Sequence, residues 1–133
     1  MAKKLAWAFG IILTVVGILG FIPGVTSADG LLLGIFQVDA IHNIIHLATG
    51  IVAILVALGS GAYVNLYFKI FGIVYALVAI VGFVQGSTVL GLIGVNMADN
   101  VLHVLIAVIA LWAGFWMKES SGSMAMNSPA GAM

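Results

Sequence analysis

The chain has 133 residues, of which 64% are hydrophobic and 6% charged, and its formal net charge is zero. A soluble domain carries about a quarter of its residues as charges, so water is excluded as the main solvent. With no basic cluster there is no electrostatic footprint for a nucleic acid, and with no cysteine, thiol catalysis, disulfides and iron–sulfur clusters are excluded.

A bilayer core is ~30 Å thick and a helix rises ~1.5 Å per residue, so a spanning helix needs roughly 20 apolar residues. The first such run covers about residues 5–22. Lys3 and Lys4 precede it and Thr26-Ser27-Ala28 loosely resembles a signal-peptide cleavage site. The run is nevertheless longer than a usual signal core and recurs as the third apolar segment, so it reads as a span. Gly10, Thr14, Gly17, Gly20 and Gly24 share one face of it, a groove where another backbone can approach closely. The connector after it, residues 23–38, ends in the apolar run Leu31-Leu32-Leu33-Gly34-Ile35-Phe36. Such a segment reads as folded back over the outer mouth of a bundle, with its backbone polar groups satisfied inside the protein.

The second run, about residues 40–58, carries a polar stripe: Asp39, His42, Asn43 and His46, continued by Gly50, Ala53 and Ala57. The third, about 66–84, is followed by a second apolar connector over residues 86–94. The fourth, about 98–117, repeats the stripe with Asn96, Asp99, Asn100, His103, Ala107, Ala110 and Gly114. His46 and His103 sit about two turns inside their helices, roughly 10 Å along the axis. At that depth a polar side chain should face protein and not lipid. Residues 1–119 therefore read as an all-α, four-helix transmembrane domain, and residues 120–133, polar and small, as a flexible cytoplasmic tail.

The two halves match each other. Phe9-Gly10-Ile11 corresponds to Phe71-Gly72-Ile73, with Gly17 against Ala79, Gly20 against Gly82 and Gly24 against Gly86. At a slightly different offset Leu33-Gly34-Ile35 corresponds to Leu90-Gly91-Leu92, Asn43 to Asn100 and His46 to His103. This is the pattern of a tandem duplication of a two-helix unit, the halves related by a pseudo-twofold axis along the membrane normal. The halves depart from each other at Asp39 against Asn96 and at His42 against Asp99.

Lys3, Lys4, Lys69 and Lys118 fall on one side of a four-span topology, and the positive-inside rule makes that side cytoplasmic. Asp29, Asp39 and Asp99 then lie at the opposite face, and only Glu119 on the lysine side. Trp7, Tyr63, Tyr67, Trp112 and Trp116 fall near the cytoplasmic ends, where amphipathic rings favour the interface. The expected location is the bacterial inner (cytoplasmic) membrane, multi-pass, with both termini in the cytoplasm.

The connector motif Leu33-Gly34-Ile35-Phe36 leading into Asn43-Ile44-Ile45-His46, and Leu90-Gly91-Leu92-Ile93 leading into Asn100-Val101-Leu102-His103, resembles the four-helix bacterial membrane proteins of domain of unknown function family 4383. The likeness runs from residue 5 to about 117. It implies the four-helix fold and no established activity.

Three readings of the polar stripe stand side by side. In the first, Asn43, His46, Asn100 and His103 hydrogen-bond across helices two and four and hold them in register. In the second, His46 and His103 are axial ligands of haem or another metal tetrapyrrole, oriented by Asn43 and Asn100. In the third, His42, His46 and His103 with Asp39 and Asp99 form a metal or proton site, although acidic residues near helix N-termini are also favourable in themselves. The first requires helix axes about 8–10 Å apart; the second requires a slot-shaped apolar cavity. No nucleophile with a histidine and an acid, and no phosphate-binding loop, is present, so no enzyme is expected. The expectation is the closed arrangement in a structural or interaction protein, an accessory subunit or homo-oligomer whose partners are the lipid bilayer and other chains of a membrane complex.

Overall fold

In a computed structural model that describes residues 1–118, the apolar runs form α1 (Ala2–Leu19), α2 (Ala40–Leu58), α3 (Val64–Gln85) and α4 (Met97–Trp116). Each is long and apolar enough to cross a membrane, so the chain is a multi-pass, all-α membrane protein. Glu119 and the expected tail, residues 120–133, lie outside the described residues.

Helix ends follow local chemistry. α1 stops at Leu19, three residues short of the apolar run, because Phe21 and Ile22 bond to the carbonyls of Ile18 and Leu19 in tightened turns before Pro23. The Thr26 hydroxyl donates to the Leu19 carbonyl at 3.0 Å and so satisfies one of the carbonyls left open at the helix end. α2 is capped by Asp39, whose carboxylate accepts the His42 amide. α4 begins with a reciprocal capping box between Asn96 and Asp99.

The helices pack as two intimate antiparallel pairs. α1 lies on α2 and α3 on α4, with much sparser backbone approach between the pairs. The small-residue face is the reason. A Cβ at Gly17 would meet Leu47 Cγ at 2.7 Å and the Asn43 carbonyl at 3.0 Å, and one at Gly72 would meet Leu111 Cγ at 2.9 Å. At Gly20 and Gly82 the occupants are the side-chain amides of Asn43 and Asn100, which fill the space a Cβ would take. Gly50 of α2 gives equally close access to Thr14 of α1.

At the end of the bundle nearer the lysines, Ala6, Ala53, Val64, Phe68, Ala110 and Ala113 form a buried apolar cluster. Phe9 of α1 meets Phe68 of α3 edge to face, with ring centroids 5.2 Å apart. Tyr67 belongs to this cluster and not to the interface, contrary to its expected place among the amphipathic rings: it is 4% exposed, and its hydroxyl donates to the Thr49 carbonyl at 3.0 Å. Tyr63, Trp112 and Trp116 are exposed and Trp7 is half-buried.

The connectors fold as two small antiparallel β-hairpins, β1 (Leu31–Leu32) with β2 (Phe36–Gln37) and β3 (Thr88–Val89) with β4 (Ile93–Gly94). Their tips place a leucine and a glycine at positive φ, Leu33 and Gly34 at 54° and 72°, Leu90 and Gly91 at 55° and 69°. A left-handed leucine costs roughly 1–2 kcal/mol, and the glycine beside it has no such penalty. Within each hairpin one residue of the first strand, Leu32 or Val89, is buried, while the tip leucines are exposed.

Candidate functional site

The polar stripe of α2 and that of α4 meet beneath the hairpins, where helix capping has already oriented their first turns. Asp39 uses one carboxylate oxygen on its own helix. The other crosses the bundle and accepts the amide of Gly94 in the second hairpin. Asp99 does the reverse: one of its oxygens accepts both the Asn96 amide at 2.8 Å and the Gln37 amide of the first hairpin at 2.9 Å. Asn96 adds a bond from its side-chain amide to the Ile35 carbonyl at 2.8 Å. Each hairpin is thereby held by the helix that follows the other one. Bonds from a backbone N–H to a carboxylate are the stronger, charge-assisted kind.

Deeper in, three imidazoles come together. His42, His46 and His103 are 3%, 5% and 2% exposed. His42 and His46, one turn apart on α2, stack at 4.7 Å between centroids; His103 of α4 lies 5.5 Å from His42 and 6.1 Å from His46. Tyr75, at the middle of α3, closes the group, with its ring 5.6 Å from that of His103 and its hydroxyl 3.4 Å from His46 Nδ1. His42 Nδ1 is 3.0 Å from the Gly94 carbonyl, a group that only accepts, so this nitrogen carries the proton.

The expected direct bonds among Asn43, His46, Asn100 and His103 do not form among the described residues. The two asparagines turn away from each other into the glycine positions of α1 and α3, and their side-chain oxygens have no partner. The rings of α2 and α4 meet where their backbones do not pack closely.

A tetrapyrrole does not fit between His46 and His103. The distances from His42 to both place its ring beside the midpoint of that pair, where the plane of a macrocycle would pass. The set proposed for a metal contracts as well. The nitrogen ligands of His42, His46 and His103 lie within 4.8 Å of one another, whereas Asp39 and Asp99 are outside this group and occupied by backbone amides.

Several residues here carry no mark in the reading of the stripe. Tyr75 had a signal, since a hydroxyl in the middle of a span must find a partner inside the protein. So had Asn65 at the start of α3, whose amide donates to the Ala113 and Met117 carbonyls at 3.0 and 2.6 Å and closes the end of α4. Gln37 and Gly94 had none, because they act through their backbone.

The model of the family described as Domain of unknown function (DUF4383) matches residues 3–116, and the chain belongs to that family. No curated protein and no solved structure matches it.

Proposed function

We propose that this DUF4383 member works in the bacterial inner membrane as a structural or interaction protein, an accessory subunit or homo-oligomer, and that it is not an enzyme. The observation that carries this reading is the use made of two acids, the half-buried Asp39 and the buried Asp99. The carboxylates of Asp39 and Asp99 each accept two backbone amides, one from their own helix cap and one from the opposite hairpin, so both serve the fold. The outward faces of all four helices are rich in exposed Ile, Leu, Val and Phe, surfaces suited to lipid or to a second membrane chain.

In the same reading the lysine end faces the cytoplasm, both termini lie there, and the hairpins face outward. A tandem duplication accounts for the two helix–hairpin–helix units, and the paired contacts of Asn43 on Gly20 and Asn100 on Gly82 support a pseudo-twofold axis along the membrane normal.

The experiment is mass determination of the protein extracted directly from membranes in polymer-bounded discs, with cysteines placed at Ser60 and, separately, at Ala28. The expected mass exceeds that of one chain. An impermeant thiol reagent should reach the Ala28 position from outside intact cells and leave the Ser60 position unlabelled. A single chain with no companion overturns the interaction reading, and the opposite labelling pattern overturns the orientation.

A further inference from the structure

We propose that His42, His46 and His103 bind a divalent transition-metal ion, with Zn²⁺ the ion their chemistry suits, and that this ion ties the α1–α2 pair to the α3–α4 pair. The proposal goes beyond the scaffold role and does not depend on it.

Two histidines at i and i+4 on one helix present their rings to the same point, a spacing that holds zinc in helical sites. The third ligand comes from the other half of the chain. Ligand nitrogens within 4.8 Å of one another must close to about 3.3 Å for tetrahedral zinc with bonds of about 2.0 Å, a movement of roughly 1.5 Å that tilting of the rings can supply.

The protonation pattern favours the ion. His42 donates its Nδ1 proton to the Gly94 carbonyl, which leaves Nε2 with a free lone pair. That nitrogen is buried and has no partner among the described residues; neither has His103 Nδ1. A buried acceptor without a donor is a loss of about 1–3 kcal/mol in ordinary cores, and the lone pair of His42 Nε2, with a second unpartnered imidazole nitrogen in the same cluster, points to a missing electrophile. A ligating histidine whose second nitrogen is held by a backbone carbonyl is the usual outer arrangement of a metal site.

The fourth position has room. A cavity of about 250 Å³ runs beside the rings, bounded mostly by apolar side chains such as Phe71, Val74 and Val78 with Thr49 and Tyr75 among them, and three imidazoles with one open place match the coordination of zinc that keeps a fourth, exchangeable ligand. The site also explains the break in the match between halves. His42 stands where the second half has Asp99, and without that exchange only two imidazoles would meet.

The test uses the full chain in mild detergent, stripped with a chelator and titrated with Co²⁺ and then Zn²⁺. The expected result is visible absorption of tetrahedral Co²⁺ that saturates at a single ion per chain, bleaches as Zn²⁺ displaces it, and is accompanied by a rise in melting temperature. His42→Ala and His103→Ala should each weaken binding by at least about 100-fold. Helical content by circular dichroism accompanies each variant, and where alanine prevents folding, His103→Gln replaces it. Wild-type protein that is folded and takes up neither ion overturns the proposal. So does binding unchanged in the folded histidine variants, which would place the ion elsewhere, and so does a Soret band in the purified protein, which would mean that the rings open for a tetrapyrrole.

Discussion

At the lysine end of the bundle the helix pairs meet through Phe9, Phe68 and a bed of alanines; at the hairpin end they meet through Asp39, Asp99, Asn96 and the imidazoles. The difference follows from the solvent. Lipid tails are as apolar as Phe68, so its burial gains contact and shape fit but little from leaving the surroundings. Apolar packing of this kind permits many related arrangements. The carboxylate bonds at the hairpin end are selective, because an amide and an oxygen must coincide across the bundle. The apolar end supplies density, and the polar end selects which pairing of the halves is adopted.

The largest expected effect tests the packing inside each pair, on which both ends depend. Gly82→Leu drives a side chain into the Asn100 amide and should destabilise the bundle by at least about 3 kcal/mol, whereas Val81→Leu beside it should cost under about 1 kcal/mol. A melting assay in detergent compares them, and equal effects would contradict the assigned faces.

Next comes the apolar end. Phe68 is fully buried, and Phe68→Ala should cost about 3 kcal/mol through the void it leaves, with amide exchange accelerated around Tyr67 and the hairpins still protected. Loss of protection at both ends together would show that they are not separable.

The smallest effect belongs to the polar end. Asp99→Ala frees the amides of Gln37 and Asn96, at about 2 kcal/mol. Hydrogen exchange should become fast at Gln37 while the Phe68 cluster is unchanged. Adding Asp39→Ala should cost less than the sum of the two single changes, since either break already loosens the hairpins from the helices beneath them. Strict additivity would mean that the two carboxylates act independently.

Much of this was legible from one dimension. Hydropathy marks each span because insertion into lipid depends on one segment at a time, and the faces of Gly10, Gly17 and Gly20 follow from helical period alone. The hairpins were harder. Their apolar character could be read, but the run 31–36 buries only Leu32 and leaves Leu33 and Ile35 exposed, a two-residue strand has too few positions to show alternation, and leucine at positive φ in Leu33 and Leu90 runs against its own preference.

The candidate site divides along the same line. The residue types, their depth and their common face on α2 and α4 were set by the sequence itself, since the helix geometry of each segment places Asp39, His42, Asn43 and His46 together. Which partner each one takes was decided by the tertiary structure. Asn43 fills the notch at Gly20 in preference to reaching Asn100, and Asp39 and Asp99 reach amides 55 and 62 residues away. His42 joins His46 and His103 because α2 and α4 are held at a separation that rings, and not backbones, fill. A preference for burial belongs to a single residue and can be read from it; a hydrogen bond or a shared metal belongs to a pair or a triad, and exists only once the fold has set the distances between them.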